Sequence, residues 1–447
     1  MSVPRAAKPT VQFVDDYCES YRDLFVEVRS YEAFKHLHVG LISEAKRKSL
    51  PAIARIVGLS NSQSLQQFLC ESPWLASELR QRRLMLILQV LTDRKITLVI
   101  DETGDRKKGN STDYVKRQYI GNLGKVENGI VAVTAYGLLE GITFPLTFAV
   151  YKPRARLQDG EAYHTKPEIA AAMIQELRKM GFEFDLVLAD SLYGESGSNF
   201  VSVLHKFELP YVLAIRSNHA VWLPKEQQVR SNRWRVYERT FSDGRCEQRY
   251  IREIIYGRKR ATRYWQLTTD PETLPKASTW MVMTHVEGIT YKQVGDLYGL
   301  RNWVEYGLKQ SKNELGWADF RLTHYEQIEK WWELVMSAYL MVTLHTPPLQ
   351  PQDHIPPELS KSATVSAFVN HRDWDPAQGW KSWLNNLRLV LFPWVSRNLL
   401  KPWLDIFPNT ELMVGFEQLI EQMNLFPGAV VRLIREPPAA ILSVGSH

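Results

Sequence analysis

The sequence has few cysteines, no long apolar run and no large excess of charge of one sign. Its three cysteines, Cys18, Cys70 and Cys246, are widely spaced, so we expect a reducing compartment and neither a disulfide framework nor a zinc cluster. The longest apolar stretch, residues 334–344, is shorter than the roughly 18 residues that cross a membrane. The N-terminus lacks the apolar block of a signal peptide. We therefore expect a cytoplasmic protein without a membrane partner.

The composition is that of an ordinary globular protein. Of the 447 residues, 45% are hydrophobic and 23% are charged, which excludes a collagen-like or largely disordered chain. At roughly 100–200 residues per domain, this length predicts about two to four domains. The net charge of +6 gives weak support for a polyanionic partner.

Basic residues are clustered rather than evenly spread. The clusters lie at residues 46–48, 80–83, 106–108, 116–117, 152–156 and 258–263. A polyanion that runs across several domains would meet such patches repeatedly. The alternative is that each patch is an ordinary solvated surface.

Hydrophobic periodicity divides the chain into segments. Residues 1–92 predict a helical domain, in which residues 49–58 and 62–71 have the spacing of a DNA-binding helix-turn-helix, although any helical hairpin gives a similar pattern. The later strands and helices predict an α/β layer with a leading hairpin sheet. The later segments are a core at 93–218, a β-rich insertion at 219–284, a second core part at 285–346, a Pro-rich linker at 347–370 and a helical C-terminal domain at 371–447.

Two aspartates directly follow apolar runs that are typical of buried strands. Asp101 follows residues 96–100, and Asp190 follows residues 185–189. Open α/β sheets place their sites at the carboxyl ends of strands. Two carboxylates brought together there would repel each other unless a divalent cation such as Mg²⁺ bound between them. The alternative is that each aspartate caps a following turn or helix.

A third pattern lies in the predicted helix after the insertion. Tyr298, Arg301, Glu305 and Lys312 are spaced by 3, 4 and 7 residues, which places them on one stripe of an α-helix. Such a stripe fits a surface that meets a phosphate backbone beside a metal. The alternative is a solvated face in which Arg301 and Glu305 form an ion pair.

These three blocks resemble bacterial insertion-sequence transposases of the DDE class, within the RNase H-like superfamily. The first block is residues 101–104 with the basic stretch that follows, the second is residues 188–191 with Tyr193 and Gly194, and the third is the Y-R-E-K signature of residues 298–312. Together the matches span about residues 96 to 345. The spacing of the third block is specific, whereas an isolated aspartate after a strand is not.

The resemblance implies a fold and a catalytic centre. The fold would be an α/β RNase H-like core, a mixed sheet flanked by helices, which is interrupted by the β-rich insertion and bounded by helical N- and C-terminal domains. Asp101, Asp190 and Glu305 would hold two Mg²⁺ ions, for which Mn²⁺ can substitute, and would catalyse in-line displacement at a phosphodiester.

The resemblance also implies DNA contacts. Tyr298, Arg301 and Lys312 would bind phosphates near the end of the element, and Lys107, Lys108 and Arg117 would form a second group. The partners would be the terminal repeats of an insertion sequence and its target DNA, with a homodimer on paired ends. Relatives can stack a flipped terminal base on an insertion-domain tryptophan, for which the candidates are Trp222, Trp234, Trp265 and Trp280.

Two choices stay open in the sequence. Glu102 and Asp105 flank Asp101 and can substitute for it as ligands, although Asp101 is nearest the strand end. The function implied by the resemblance is cleavage at the ends of the element and joining of the 3′ ends to target DNA. The alternatives are a catalytically silent DNA-binding relative and a nuclease or resolvase of the same fold. The three intact acidic positions favour catalysis, and the Y-R-E-K spacing with the long insertion favours transposition.

Overall fold

The computed structural model describes residues 5–221, 228–241, 245–255, 262–350 and 367–428. The chain forms two compact units, one of Met1–Thr92 with Lys309–His447 and one of Asp93–Leu308. The first unit is helical and the second contains an eleven-stranded sheet. This division groups the two helical ends of the chain, which the sequence analysis places in separate domains, and it divides the segment 285–346 between the two units.

The second unit is organised around one mixed sheet. Its strands consist largely of β-branched, aromatic and leucine residues, which pack well on a pleated and buried surface. The longest strand, β3, is buried from residue 129 to residue 138. The strands are β1 (Ile96–Arg106), β2 (Lys116–Ile120), β3 (Lys125–Leu139), β4 (Ile142–Val150), β5 (Phe184–Ala189), β6 (Tyr211–Ile215), β7 (Arg230–Ser231), β8 (Arg235–Thr240), β9 (Cys246–Ile255), β10 (Arg263–Thr268) and β11 (Thr279–Thr284).

The strand order around β1 gives the sheet an RNase H-like arrangement. β3 runs antiparallel between β1 and β4, whereas β5 and β6 lie on the other side of β1 and run parallel to it. Parallel strands need a crossover connection, and helix α6 (Lys166–Met180) supplies it between β4 and β5. Helices pack on the sheet, α6 against β3 and β4, for example. The predicted α/β RNase H-like core is therefore confirmed.

Short helices follow β5, and two further helices follow β11. The first are α7 (Ser191–Gly194) and α8 (Ser202–Lys206), and the second are α9 (Tyr291–Leu300) and α10 (Asn302–Lys309). α9 begins with a capping box, in which Thr290 and Gln293 satisfy each other's backbone N–H groups. Tyr298 and Val304 belong to the same buried cluster as Val99 of β1. Helices α9 and α10 therefore lie on the face of the sheet to which Val99 points.

The β-rich insertion does not form a sheet of its own. Strand β11 pairs with β6 of the core, and β10 and β9 continue the same sheet outward. An unpaired strand edge exposes a row of N–H and C=O groups, and the insertion covers the edge of β6. The RNase H-like sheet and the insertion thus form one continuous sheet in the described part of the chain.

The first unit is built from helices. Two of them, α3 and α4, correspond to the predicted helix-turn-helix at residues 49–58 and 62–71. Its helices are α1 (Gln12–Glu19), α2 (Val28–Ile42), α3 (Leu50–Ile56), α4 (Gln63–Cys70), α5 (Ala76–Leu91), α11 (Tyr325–Thr343), α12 (Trp380–Leu404) and α13 (Thr410–Met423), with a π-helical turn at Gln310–Glu314.

Buried polar contacts join the two ends of the chain inside the first unit. Arg83 of α5 lies 3.1 Å from Glu333 of α11, and neither side chain is exposed to solvent. His38 of α2 lies 2.9 Å from the hydroxyl of Ser337 of α11, and Tyr17 donates to the carbonyl of Ser337 at 2.8 Å. These contacts explain why residues far apart in sequence form one unit.

Parts of four predicted segments lie outside the described residues. These are residues 1–4 of the N-terminal domain, residues 222–227, 242–244 and 256–261 of the β-rich insertion, which include part of the basic cluster 258–263, residues 351–366 of the Pro-rich linker and residues 429–447 of the C-terminal domain. Among the helices that the structure describes, none combines the length and the apolar character that a membrane crossing requires.

Candidate active site

Asp101 and Asp190 lie side by side where the parallel pairing of β1 and β5 ends. Ile100 pairs with Ala189, so each aspartate occupies the next position on neighbouring strands, which are about 4.8 Å apart. The apolar run 96–100 predicts a first strand that ends at Ile100, and this prediction is wrong. β1 continues to Arg106 because Asp101 and the residues after it pair with β3.

Backbone N–H groups hold one oxygen of each carboxylate. Asp101 Oδ1 accepts from the N–H of Glu102 at 2.8 Å, and Asp190 Oδ1 accepts from the N–H of Leu192 at 2.9 Å. Asp190 is therefore the N-cap of α7, as the alternative interpretation of this residue holds. The cap uses only one of its two carboxylate oxygens, so capping does not exclude a second role.

Arg301 brings a positive charge to the two aspartates. Its Nη2 lies 3.6 Å from Asp101 Oδ2. The predicted continuous helix is wrong here, because α9 ends at Leu300, α10 begins at Asn302, and Arg301 is the residue between them. Arg301 itself keeps helical dihedral angles, φ −55° and ψ −30°, and its guanidinium points to the aspartates.

The charges at this site are incompletely balanced. Burial, despite the opposing charge of Arg301, raises the pKa of Asp101 to about 6, and the neighbouring Asp190 adds to the increase. Burial lowers the pKa of Arg301, but the nearby acidic groups, Asp101 foremost, outweigh it and raise that pKa. The Nε of Arg301 and the hydroxyl of Tyr193 are buried and find no hydrogen-bond partner in the described part of the chain. One guanidinium therefore does not satisfy all the polar groups around the acids.

The other members of the Y-R-E-K signature lie in three different elements. Tyr298 is in α9 and is buried, and its ring lies 6.5 Å from that of Trp280. Glu305 is in α10, with an exposed side chain, and its charge acts on Arg301. Lys312 is in the π-helical turn. Among the described residues, no three acidic, histidine or cysteine side chains come together as a metal site, so Asp101, Asp190 and Glu305 do not form a joint ligand set here.

The paired aspartates nevertheless fit a divalent cation. Their carboxylate oxygens are the hard ligands that Mg²⁺ prefers, and such ions are often bound by one or two carboxylates together with substrate phosphates. The raised pKa of Asp101, which burial and Asp190 both cause, marks a place where an additional positive charge would relieve an electrostatic conflict. Phosphate oxygens and Glu305 would have to supply the remaining ligands.

Glu102 and Asp105, the open alternatives to Asp101, are separated from it by the pleat of β1. Successive side chains of a strand point to opposite faces, and Glu102 forms an ion pair with Lys166 of α6 at 2.5 Å on the opposite face. Asp105 shares the face of Asp101 but lies about 13 Å further along the strand. The geometry therefore favours Asp101 as the acid that accompanies Asp190.

Tyr193 and Glu195 are polar residues near the site whose positions the sequence analysis did not foresee. Tyr193 is fully buried, and burial raises its pKa, with Glu102, Asp190 and Asp101 adding to the increase. Glu195 accepts from the N–H of Arg216 at 2.7 Å and lies 3.1 Å from a ring nitrogen of His219. The block Tyr193-Gly194 marked this loop, but no local pattern reveals which carboxylates Tyr193 faces.

The second group of predicted DNA contacts lies at the far end of β1 and on β2. Lys107 and Lys108 directly follow β1, and Arg117 in β2 pairs with Asn128 of β3. Along β1, Arg106 is about 17 Å from Asp101. Lys108 and Arg117 are exposed. These residues therefore do not belong to the acid site and would meet a different part of a bound DNA.

The candidate tryptophans differ in accessibility. Trp265 is 3% exposed and belongs to the core, which makes it a poor stacking surface. Trp234 and Trp280 are partly exposed and each lies under an arginine, Arg252 and Arg249 respectively. Trp222 lies outside the described residues. Trp280 is the described candidate that contacts the ring of Tyr298, and its stacking role stays a prediction.

Comparison with known proteins identifies the family. Residues 25–288 match the family model of the DDE superfamily endonucleases. The chain is 63% identical over 329 residues, 74% of its length and 87% of the relative's, to a probable transposase for insertion sequence element IS701 from Microchaete diplosiphon. The chain belongs to the DDE superfamily of endonucleases and to its insertion-sequence transposases. The resemblance seen in the sequence, the enzyme class and the function of a DNA transposase are confirmed.

A solved structure is also similar to this transposase. The piggyBac transposase in a synaptic complex with hairpin DNA covers 92% of this chain and 82% of its own, with a TM-score of 0.42 and 10% identity. That likeness is too distant to bear on the site. The family match has a clear consequence: this transposase acts on DNA and depends on a divalent metal ion. The family match includes Asp101 and Asp190 but ends before Glu305.

Proposed function

We propose that this transposase cleaves DNA at the ends of its insertion sequence and joins the exposed 3′ ends to target DNA, with Asp101, Asp190 and Glu305 as the catalytic residues. The observation that carries the proposal is the placement of Asp101 and Asp190 next to each other on paired parallel strands, with Arg301 3.6 Å from the first. An open sheet places reactive groups at this edge.

The two aspartates hold the metal in this proposal. The ions are Mg²⁺, two for each active site, with Mn²⁺ as a substitute, and Glu305 completes the ligand set from α10. Bound divalent ions in such a site activate a water or a 3′-hydroxyl and stabilise the leaving oxygen of an in-line displacement. The backbone N–H groups of Glu102 and Leu192 fix the orientation of the aspartates, so these two ligands need little reorganisation.

Arg301 positions the scissile phosphate. Its buried Nε has no hydrogen-bond partner among the residues that the structure describes, and a guanidinium binds phosphate oxygens with paired, directional hydrogen bonds. Tyr298, one turn earlier on α9, and Lys312, in the π-helical turn, contribute further phosphate contacts. In this arrangement the guanidinium of Arg301 interacts both with Asp101 and with the phosphates of the DNA backbone.

An end-labelled oligonucleotide assay tests this function against its alternatives. The probe is a duplex that carries one end of the genomic element encoding this chain, incubated with the full chain and Mg²⁺. A transposase cuts at the end and joins the 3′ end to another strand, a nuclease or resolvase cuts without joining, and a silent DNA-binding relative shifts the probe without cutting it. Joined products are expected, and their absence under conditions that support cleavage would contradict the proposal.

Glu305 needs a separate test, because among the described residues it does not lie with Asp101 and Asp190 in one group of potential metal ligands. Glu305→Gln keeps the size of the side chain and removes its charge. Loss of cleavage with a normal shift of the probe is expected, and partial recovery in Mn²⁺ would point to metal binding. If Glu305→Gln cleaves like the wild type, the third ligand is another group.

We also propose that the transposase is a homodimer on paired ends, because joining two ends requires two active sites. The hairpin of α12 and α13 leaves large apolar side chains exposed, among them Trp403, Ile406 and Phe407 at 66%, 69% and 66%. Single exposed apolar residues are ordinary, but contiguous ones mark interaction surfaces. Trp403→Ser with Phe407→Ser should therefore prevent dimer formation on end DNA, measured by analytical ultracentrifugation. A dimer of wild-type stability would remove this hairpin from the interface.

A further inference from the structure

The hairpin of β2 and β3, residues 116–128, is an exposed ribbon on the edge of the sheet. Among the described strands, β2 pairs with β3 alone and ends the sheet on this side. Residues 106–128, which comprise the ribbon and the segment before it, contain six basic and two acidic residues, a net charge of +4 in a chain whose total is +6. The ribbon and the segment before it therefore carry a local excess of positive charge.

The register places one side of this ribbon on the same sheet face as Asp101. Asp101 pairs with Thr134 of β3, and side chains two, four or more even steps along a strand share a face. Asn128 and Val126 therefore share the face of Thr134, and through cross-strand pairing so do Arg117 and Tyr119. The acid site and the ribbon are two ends of one face.

The outer side of the ribbon suits a nucleic acid. Tyr119 and Val126 lie opposite each other, 53% and 51% exposed, beside the exposed Arg117. The carboxylate of Glu127 points to the other face, where it pairs with Arg106 and Lys125 at 3.8 and 3.6 Å. This side of the ribbon thus carries a positive charge, an aromatic ring and an apolar side chain, and no carboxylate from Glu127. Such a surface favours a polyanion whose groove can accept these side chains, as duplex DNA does.

Protection of the sheet edge explains only part of this pattern. Basic residues on an edge strand discourage pairing with another chain, which would account for Lys116 and Arg117. Exposed Tyr119 and Val126 have the opposite effect, because apolar side chains on an edge promote association. The combination therefore indicates a partner surface rather than a protected edge alone.

The length of β3 sets the distance between the two contacts. Eight residues separate Thr134 from Val126, which corresponds to about 27 Å along the strand and to about eight base pairs of duplex. The side chains between them on this face, such as Thr103 and Ile130, are buried. A DNA that touched both ends of the face would do so at two separated places.

We propose that the β2–β3 ribbon is a second contact with duplex DNA, about eight base pairs from the phosphate held at Asp101 and Asp190. A two-stranded ribbon fits the major groove, which is about 12 Å wide. The ribbon contributes affinity through phosphate contacts, with Arg117 and Tyr119 at its centre. The proposal rests on the proposed function, since that function defines the phosphate from which the distance is counted.

Binding measurements on duplexes of graded length test the ribbon. The probes carry the element end with about 4, 8, 12 or 16 base pairs on either side of the cleavage position, and the full chain is titrated by fluorescence anisotropy. Arg117→Ala with Tyr119→Ala should bind the longer probes about tenfold more weakly than the wild type, with a salt slope lower by about 1. The same variant should bind the shortest probe as the wild type does.

Controls separate the ribbon from general charge effects and from misfolding. Lys276→Ala and Arg372→Ala remove exposed basic residues elsewhere and should leave the length dependence unchanged. A hydroxyl-radical footprint of the wild type should show protection about eight base pairs from the cleavage position, absent in the ribbon variant. Equal binding of wild type and variant on all probes would overturn the proposal. If the wild type binds but does not cleave, the proposed function fails instead, and the length dependence still decides whether the ribbon binds DNA.

Discussion

The two units of the transposase bury charge in different ways. In the helical unit, Arg83 and Glu333 are both fully buried and lie 3.1 Å apart, and Arg80 supplies a second partner for the same glutamate. In the sheet unit, Asp101 and Asp190 share the single guanidinium of Arg301, which lies 3.6 Å from Asp101. The first arrangement is closed and structural. The second leaves the Nε of Arg301 and the hydroxyl of Tyr193 without a hydrogen bond from the described residues. Unsatisfied buried polar groups of this kind are typical of functional sites.

The largest effect is expected at the incompletely balanced charges. Asp190→Ala should abolish metal-dependent cleavage, on the order of a thousandfold or more, because a metal ligand is worth several kcal/mol to the transition state. DNA binding should survive. The measurement is single-turnover cleavage of end-labelled DNA beside a gel shift.

Asp190→Asn is the matched control for the capping role of this residue. Asparagine is as good an N-cap as aspartate, so this variant should retain the stability of the wild type, whereas the alanine variant loses about 1 kcal/mol. Both should fail to cleave. Cleavage by either variant would make the assignment of Asp190 as a metal ligand untenable.

The closed ion pair is expected to respond in stability. Glu333→Ala removes the carboxylate that Arg83 contacts in the protein interior, and breaking such a buried pair costs about 3–5 kcal/mol. Urea denaturation followed by circular dichroism measures the change in the free energy of unfolding. Glu333→Leu combined with Arg83→Met removes both charges and should recover much of the loss. A small effect of Glu333→Ala would show that the two ends of the chain are held mainly by apolar packing.

Buried histidine gives the helical unit a dependence on acid. Burial lowers the pKa of His38 to about 4, below the value of about 6.5 in an unfolded chain. Between these values the unfolded state binds more protons, so stability falls as the pH falls. Moving from pH 7 to pH 5 should cost about 2 kcal/mol through His38. His38→Gln should lessen this loss in denaturation experiments at the two pH values, and an unchanged loss would assign the acid sensitivity to other groups.

The smallest effect is expected at Lys312. Lys312→Ala should weaken binding to end DNA a few-fold and reduce the slope of log K against log salt by about 1, because one phosphate contact is removed. Lys276→Ala, which changes the same charge on a loop of the sheet unit, should leave the slope unchanged. A wild-type slope for Lys312→Ala would remove this residue from the phosphate contacts.

The fold was predictable to the extent that it depends on local periodicity. Local periodicity accounts for strands such as Tyr211–Ile215 and Arg263–Thr268, because each is a short apolar or alternating run. The short strand β2 was missed because its sequence, Lys116–Ile120, is mostly polar and is held by pairing with β3. Local hydrophobicity carries no information about such pairing.

The candidate site was predictable by residue but not by arrangement. The pairing of Asp101 and Asp190 follows from two apolar strands that end in acids, and the structure places the two side by side. The single stripe was wrong because residues 298–312 do not form one regular α-helix: Arg301 separates α9 from α10, and Lys312 lies in a π-helical turn. The joint metal site with Glu305 stays a prediction.

The sequence by itself determined the class of chemistry, the strands of the core and the positions of the acids, because apolar periodicity and the spacing of charged residues are local properties. Only the tertiary structure decided which charges meet. Arg83 and Glu333 are 250 residues apart, and the face shared by Asp101 and Tyr119 depends on the register of three strands. Pairing between distant segments is set by the packing of the whole chain, and a short stretch of sequence does not determine that packing.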